Sequence, residues 1–393
     1  MKYFGPSTLV SAAFIGPGTI TVCTLAGVNH GYDLLFALLF SGIATIVLQE
    51  MAARVGLVTQ SGLGTEIREN KKKSKVGQLL FLLVAAAILF GNAAYEAGNI
   101  TGGNMGLELI INHGSISSIF IGLIAFALLF FGSYKQIEGF LIAMVICMSI
   151  GFFVTMLLLK PSINDVLSAF IPKFSLQTDW KNIAALVGTT VVPYNLFLQS
   201  SLISKKYSKV ADLNDLRKEN MVAIGLGTLV SMMIVIVAAS NKEATQIKSP
   251  IDLAIQLEPL LGNWANLGTG IGLFAAGLSS AITAPLAAAL LARELFDWPK
   301  NETNWKFKAT WMFVLAIGIL ISSFKINAIT LIQGAQWLNG ILLPIIAAYL
   351  LFVVNKKQLL GKYVNSKWQN FLGFFVVLIC IILSIRTVSL LLF

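Results

Sequence analysis

Leu186-Val187-Gly188-Thr189-Thr190-Val191-Val192-Pro193-Tyr194-Asn195-Leu196-Phe197-Leu198-Gln199 is apolar enough to lie in a membrane, yet halfway along it carries Pro193 followed by Tyr194 and Asn195. Proline removes a backbone donor and its ring clashes with the preceding turn, so a helix through this stretch is expected to break there. Inside a bilayer the backbone groups freed by such a break must be satisfied by neighbouring protein, water or a bound solute. A second break of the same kind lies in the first apolar segment. Phe14-Ile15 runs into Gly16-Pro17-Gly18-Thr19 and the apolar run then resumes at Ile20. A single proline is compatible with a simple kink. Two interrupted helices at matching places in the two halves of one chain point instead to inverted repeats with a solute site where the breaks meet.

Composition agrees about the solvent. Of 393 residues, 56% are hydrophobic and 12% charged, and the mean hydropathy is +0.81, which excludes an ordinary water-soluble domain. Apolar runs long enough to span are read at 7–29, 33–53, 76–94, 115–132, 137–159, 183–203, 221–240, 264–292, 309–324, 326–354 and 368–393, eleven in all.

The isoelectric point near 9.4 raises the question of an acidic partner, and the placement of the cations answers it. With the N-terminus inside, most of the 28 lysines and arginines fall on one face, from Arg68-Glu69-Asn70-Lys71-Lys72-Lys73 through Lys205, Lys206 and Lys209 to Lys356, Lys357, Lys362 and Lys367. This positive-inside bias gives an N-in, C-out multi-pass protein of the cell (inner) membrane, whose partner is the lipid bilayer and not a nucleic acid. Labelling at Lys72 and Lys248 is expected to report opposite sides.

Cys23, Cys147 and Cys380 lie in separate apolar runs and read as small core residues, not as a disulfide or metal framework. His30 and His113, the two histidines, fall at span ends, which leaves no imidazole relay within the membrane. Gly268-Thr269-Gly270-Ile271-Gly272 opens a membrane helix with no strand before it, so it is not a nucleotide fingerprint. No cofactor is expected.

Polar residues within spans mark the remaining candidates. Glu50 and Arg54 stand four apart at the inner end of the second span and are expected to pair. Asn92, Tyr95, Glu96 and Asn99 lie in the third span, where an ionisable group costs about 2.5–3.5 kcal/mol to insert and usually faces the interior or a water path. Packing by a protonated or amide-paired Glu96 is the alternative. Ser279, Ser280 and Thr283 precede Pro285, where their hydroxyls either cover freed carbonyls or help hold a cation. Gln336 and Asn339 share a face of the tenth span before Pro344.

Ile15-Gly16-Pro17-Gly18-Thr19, Leu48-Gln49-Glu50-Met51-Ala52-Ala53-Arg54-Val55-Gly56, Gly188-Thr189-Thr190-Val191-Val192-Pro193-Tyr194-Asn195-Leu196-Phe197-Leu198 and Gly277-Leu278-Ser279-Ser280 resemble the NRAMP metal-ion transporters. The resemblance runs along most of the chain. It implies an all-α LeuT-type fold: one transporter domain over 1–393, with repeat one at 1–160, repeat two at 180–355 and an eleventh helix at 356–393. It also implies a transporter and not an enzyme.

The chemistry of that family carries over unevenly. Its Asp-Pro-Gly-Asn motif is here Gly16-Pro17-Gly18-Thr19, and its Met-Pro-His motif is Val192-Pro193-Tyr194. A further histidine of the family is replaced by Gln199, leaving Glu96 as the titratable residue retained in the permeation path. By position, the resemblance implies that Ala13 and Thr189 supply backbone carbonyls to the ion and that Gln336 supplies an amide. The expected substrate set is Ala13, Gly16, Thr19, Thr189, Thr190, Val192, Tyr194, Asn195, Gln336 and Asn339. Of these, Ala13, Thr19, Thr189, Asn195 and Gln336 are expected nearest a metal, and Glu96, Gln199, Ser279, Ser280 and Thr283 along the coupling or permeation path.

The resemblance implies divalent metal transport, and because hydroxyl, amide and carbonyl oxygens suit hard cations, Mg²⁺ or Mn²⁺ without tight proton coupling is the leading expectation. A zwitterionic or acidic organic solute, whose own carboxylate replaces the missing aspartate, is the competing one. A non-transporting sensor is a third, made less favoured by the lack of an attached effector domain. Coupling to Na⁺ through the hydroxyls of the eighth span stays open beside uncoupled uptake, and a monomer is expected.

Overall fold

The structure is a computed structural model, and it describes residues 15–71, 75–111, 118–132, 134–174, 179–207, 212–241, 243, 246–299, 301, 304–324 and 326–392. Every regular element among them is helical. In chain order these are α1 (Pro17–His30), α2 (Leu35–Thr59), α3 (Leu63–Lys71), α4 (Lys75–Ile111), α5 (Ser118–Phe130), α6 (Tyr134–Leu159) and α7 (Ile163–Ser168). The second half continues with α8 (Trp180–Thr190), α9 (Pro193–Lys206), α10 (Leu213–Ser240), α11 (Pro250–Ala254), α12 (Glu258–Leu261), α13 (Ala265–Leu295), α14 (Trp305–Ser322), α15 (Ala328–Val354), α16 (Lys357–Leu360) and α17 (Lys367–Leu392).

Among the described residues nine segments are long and apolar enough to cross a membrane, with α8 and α9 together forming one of them. The shorter apolar helix α5 and the half-helix α1 bring the segments to the eleven read from sequence. Exposed Phe120 and Leu123 on α5 and Phe371, Phe374 and Ile385 on α17 form the outer face. Such a surface belongs against lipid, because in water it would be a large unpaired apolar patch.

The helix ends follow local chemistry. Pro17 and Pro193 each occupy the first turn of a helix, where the missing N–H is no loss. Asp179 caps α8 by accepting from the Asn182 N–H at 3.0 Å. Asn304 and Asn327 do the same for α14 and α15. After α1 the chain turns at Gly31, whose φ of 58° is one that a side chain would strain.

α4 is the central post, with α13, α14 and α15 packed along it. Its tightest contact is with α13. A Cβ built on Gly277 would sit 2.4 Å from the Gly103 backbone nitrogen, and one on Gly106 would sit 2.3 Å from the Phe274 nitrogen. The two backbones touch, which is why the small residues recur there. Against this post lie α1 packed on α10 and α9 packed on α2.

The structure amends several expectations. The third span carries Tyr95, Glu96 and Asn99 as expected, but it runs past the apolar stretch read at 76–94 as far as Ile111, with those polar residues turned inward. The ninth and tenth spans run over 305–322 and 328–354. Cys23 and Cys380 are buried as expected, whereas Cys147 is exposed on the outer side of α6. Its small apolar side chain is as suited to lipid as to a core. The expectations for Ala13, Lys72 and His113 lie outside the described residues.

Candidate functional site

The two breaks are brought together. At the first, Gly16 is extended (φ −102°, ψ −177°) and α1 begins at Pro17. At the second, α8 stops at Thr190, Val191 and Val192 are non-helical, and α9 begins at Pro193. Because Pro193 has no N–H, the Thr189 carbonyl loses the donor that a continuous helix would give it.

Thr19 Oγ1 and Thr189 Oγ1 are 2.8 Å apart and buried, a hydroxyl bridge between the two broken helices. α15 closes this junction. A Cβ on Gly18 would lie 2.2 Å from Gln336 Nε2, and one on Gly188 would lie 2.1 Å from the Gln336 carbonyl oxygen. Gln336 is thus seated between a glycine of each broken helix. Asn339 Nδ2 donates to its Oε1 at 3.4 Å.

Asn195 sits two residues beyond Pro193 and is fully buried, yet neither its Oδ1 nor its Nδ2 has a hydrogen-bond partner among the described residues. A buried amide with both ends unmet costs about 1–3 kcal/mol per group unless something polar meets it. Thr190 turns back on its own helix, donating to the Leu186 carbonyl at 3.0 Å. Gly16 is the extended residue capping α1, and Val192 is buried beside the second break.

Tyr194 points elsewhere. Its ring meets that of Tyr95 edge-on, with centroids 5.4 Å apart. Next to Tyr95, Glu96 is fully buried; Asn99 Nδ2 donates to its Oε2 at 3.4 Å, while Oε1 has no partner among the described residues. Glu96 packs against Gly318 of α14, where a Cβ would lie 2.5 Å from its Cγ. Gln199 is buried farther along α9. On α13, Thr283 Oγ1 donates to the Ser279 carbonyl at 2.8 Å and Ser280 is buried.

Charge is concentrated at the two ends. On the lysine-rich face, Glu50 is shared by Arg54 of α2 (3.0 Å) and Arg217 of α10 (2.8 Å). The expected Glu50–Arg54 pair is present, and Arg217 is an addition that sequence spacing could not supply. Glu294, at the C-terminal end of α13, accepts from Ser201 Oγ of α9 and from the Gly64 N–H at 3.0 Å. The Leu63 N–H donates to Ser200 Oγ at 3.0 Å, and Arg68 pairs with Asp297. α3 is therefore pinned by its bare N-terminal amides to α9 and α13. The sequence signal for this was the Ser61-Gly62-Leu63-Gly64 turn, which opens a helix without a capping side chain of its own.

At the opposite end, His30 Nε2 of α1 lies 3.3 Å from Asp179 Oδ2 and 3.1 Å from Asn182 Nδ2. Gln333 Nε2 of α15 donates to Asn182 Oδ1 at 3.4 Å. The His30 contact, and the Asn182 N–H against the cost of partial burial, hold the Asp179 carboxyl below the usual aspartate range.

A helix broken at Val191-Val192, bridged to a second that begins at Pro17 and backed by α4, is the arrangement of broken-helix membrane transporters. A manganese transporter of Eremococcus coleocola, in a mutant form, superposes with a TM-score of 0.80 at 19% identity, covering 98% of this chain and 86% of that one. MHP1, a nucleobase-cation-symport-1 family transporter in a closed conformation, gives 0.57 at 15% identity, covering 98% and 93%. Both likenesses concern the fold, and the all-α LeuT-type architecture expected from the sequence is the one found. In sequence, the divalent metal cation transporter MntH of Staphylococcus aureus (strain bovine RF122 / ET3-1) is 25% identical over 414 aligned residues, 98% of this chain and 90% of the relative. The profile of the natural resistance-associated macrophage protein-like family matches residues 7–390. This chain belongs to that family, one of multi-pass membrane transporters and not enzymes.

Proposed function

We propose that this chain carries divalent metal cations across the membrane, takes hard ions such as Mg²⁺ or Mn²⁺ in preference to soft ones, and does so without tight proton coupling. Membership of the family and the likeness to divalent metal transporters support metal as the cargo. The donor set at the junction supports the kind of metal. Thr19, Thr189, Gln336, Asn339 and Asn195 offer neutral oxygens, and among the described residues no three His, Cys, Asp or Glu side chains come together.

Soft thiolate, thioether or imidazole ligands select transition metals, and amide and hydroxyl oxygens do not. Mg²⁺ gives up its water reluctantly. A partly hydrated ion whose waters hydrogen-bond to the unmet Asn195 amide and to the threonine and glutamine side chains satisfies both the ion and the protein.

The driving force follows from the same donor set. With no carboxylate at the junction, membrane potential is the direct source, about 2.3 kcal/mol per charge per 100 mV and so roughly 4.6 kcal/mol for a divalent ion. Ser279, Ser280 and Thr283 are the reserve site for a coupling Na⁺. Glu96 is read as a packing residue on α4 that serves the permeation path by lining it. In the bilayer we place the lysine-rich face in the cytoplasm, the C-terminus outside, the repeats at 1–160 and 180–355, and a monomer as the working unit.

Proteoliposome flux decides the matter. An inside-negative potential is expected to drive Mg²⁺ or Mn²⁺ uptake with no internal acidification, and Asn195→Ala to lower uptake while protein yield and monodispersity hold. Substrate-dependent acidification that disappears in Glu96→Gln would replace the uncoupled reading with a proton-coupled one. Exchange of amino acids with no movement of metal would replace the cargo.

A further inference from the structure

A cavity of about 430 Å³ opens on the lysine-rich face between the inner ends of α2 and α10 and the connection from α16 to α17. We propose that it binds a phosphate-bearing anion, namely the headgroup of an anionic membrane lipid. Its polar walls are Arg54, Arg217, Lys362, Asn214 and Gln369.

The charges here do not balance. Glu50 is the carboxylate between the two guanidiniums, with Oε2 3.0 Å from Arg54 and Oε1 2.8 Å from Arg217. One carboxylate cannot neutralise two guanidiniums and the Lys362 ammonium. Asp212 and Asp215, near the start of α10, are not among the lining residues.

Arg54 builds the wall of the cavity. It is 1% exposed and donates from Nη1 to the Tyr363 carbonyl at 2.9 Å and from Nη2 to Glu50 and Asn365. Arg217, with its side chain 38% exposed beside that buried cation, is the guanidinium open to a ligand, and phosphate oxygens match its forked donors. Asn214 and Gln369 add neutral side-chain donors around the same space.

Depth favours a lipid as the source. Gln369 follows Trp368, which is 75% exposed at the start of α17 and meets Phe371 edge-on. Tryptophan in that position marks the headgroup layer. Cations on that layer attract anionic lipid. A cluster of this sign repels a metal cation, which separates the cavity from the neutral junction where the cargo is read.

The test uses the full-length protein and two probes. Native mass spectrometry after exchange into mixed vesicles of phosphatidylglycerol and phosphatidylcholine is expected to show preferential retention of phosphatidylglycerol. Arg217→Gln and Lys362→Gln should each lower that retention by about fivefold, the effect of one cation near an anionic surface. Lys308→Gln, on α14 outside the cavity, should leave it unchanged. Arg54 is left intact because its bonds to Tyr363 and Asn365 hold the fold. In parallel, inorganic phosphate is titrated against the detergent-solubilised protein while its melting temperature is followed. Stabilisation lost in the same two variants, without lipid retention, would support the phosphate chemistry but assign it to a free anion. Equal loss of lipid in Lys308→Gln, or no response to either probe, would overturn the proposal.

Discussion

The junction of the two breaks and the lysine-rich end of the same helices handle polarity in opposite ways. At the junction, Thr19 meets Thr189 and Gln336 rests between Gly18 and Gly188, all neutral groups. At the lysine-rich end, Glu50 is divided between Arg54 and Arg217, and Glu294 holds α3 through Ser201 and Gly64. At the lysine-rich end charges are paired with opposite charges, and at the junction dipoles meet dipoles. Under the proposed function, a cation at the junction meets no cluster of carboxylates among the described residues, so the charge it brings is to be met by oriented dipoles and by the water it keeps.

Substitutions can break either side of this contrast. The largest effect is expected from Gly188→Leu, because even a Cβ there would meet the Gln336 backbone. Overpacking of this kind costs typically 1–3 kcal/mol or more. Loss of monodisperse protein in gel filtration, or of all uptake in what survives, is the expected result. Glu294→Ala comes next. It leaves Ser201 and the Gly64 N–H unmet, about 1–3 kcal/mol for a buried donor, and should lower the melting temperature by several degrees while spectroscopic helicity stays intact.

Asn195→Asp sharpens the comparison by moving a charge into the junction. A carboxylate near 4 Å from a cation is worth about 1–4 kcal/mol per unit charge at effective dielectric constants of 80 to 20. The apparent KM for Mn²⁺ should fall severalfold and uptake should become pH-dependent. An unchanged KM would place Asn195 away from the ion.

The smallest effect belongs to the outer end. Asp179 is partly exposed, so its pairing with His30 is worth at most about 1 kcal/mol. Its carboxyl titrates below the ordinary aspartate value of about 3.9. The contact therefore stabilises the folded protein above that value and is lost as pH falls through and below it. A melting-temperature difference between wild type and Asp179→Asn at pH 6 should shrink towards pH 3.

Much of this fold could be read from the chain. Pro193 reported the break between α8 and α9 and Pro17 the start of α1, although Pro285 and Pro344 lie inside unbroken α13 and α15, so the ring alone does not decide where a helix stops. The alternation of apolar runs and cationic loops reported the spans. Contacts between distant segments could not be read in the same way. Nothing in the neighbourhood of Gln336 says that its side chain packs on Gly18 and its carbonyl on Gly188, since that depends on how three helices meet. Nothing in the sequence sets Glu294 apart from other charges at helix ends, and its role appears only when residues 62–64 are brought against it. Tyr95, Glu96 and Asn99 were visible as polar residues of the third span, but the continuation of α4 to Ile111 along the backbone of α13 was not.

The backbone seam between α4 and α13 has a mechanical consequence. Gly103 and Gly277 touch main chain to main chain, with no side chain between them to change rotamer and absorb a slip. Sliding one helix past the other would drive bulkier neighbours such as Phe274 into rigid peptide planes, so the pair behaves as a single beam. Any alternation of access is expected at the interruption between α8 and α9, at Val191-Val192, and not along this seam.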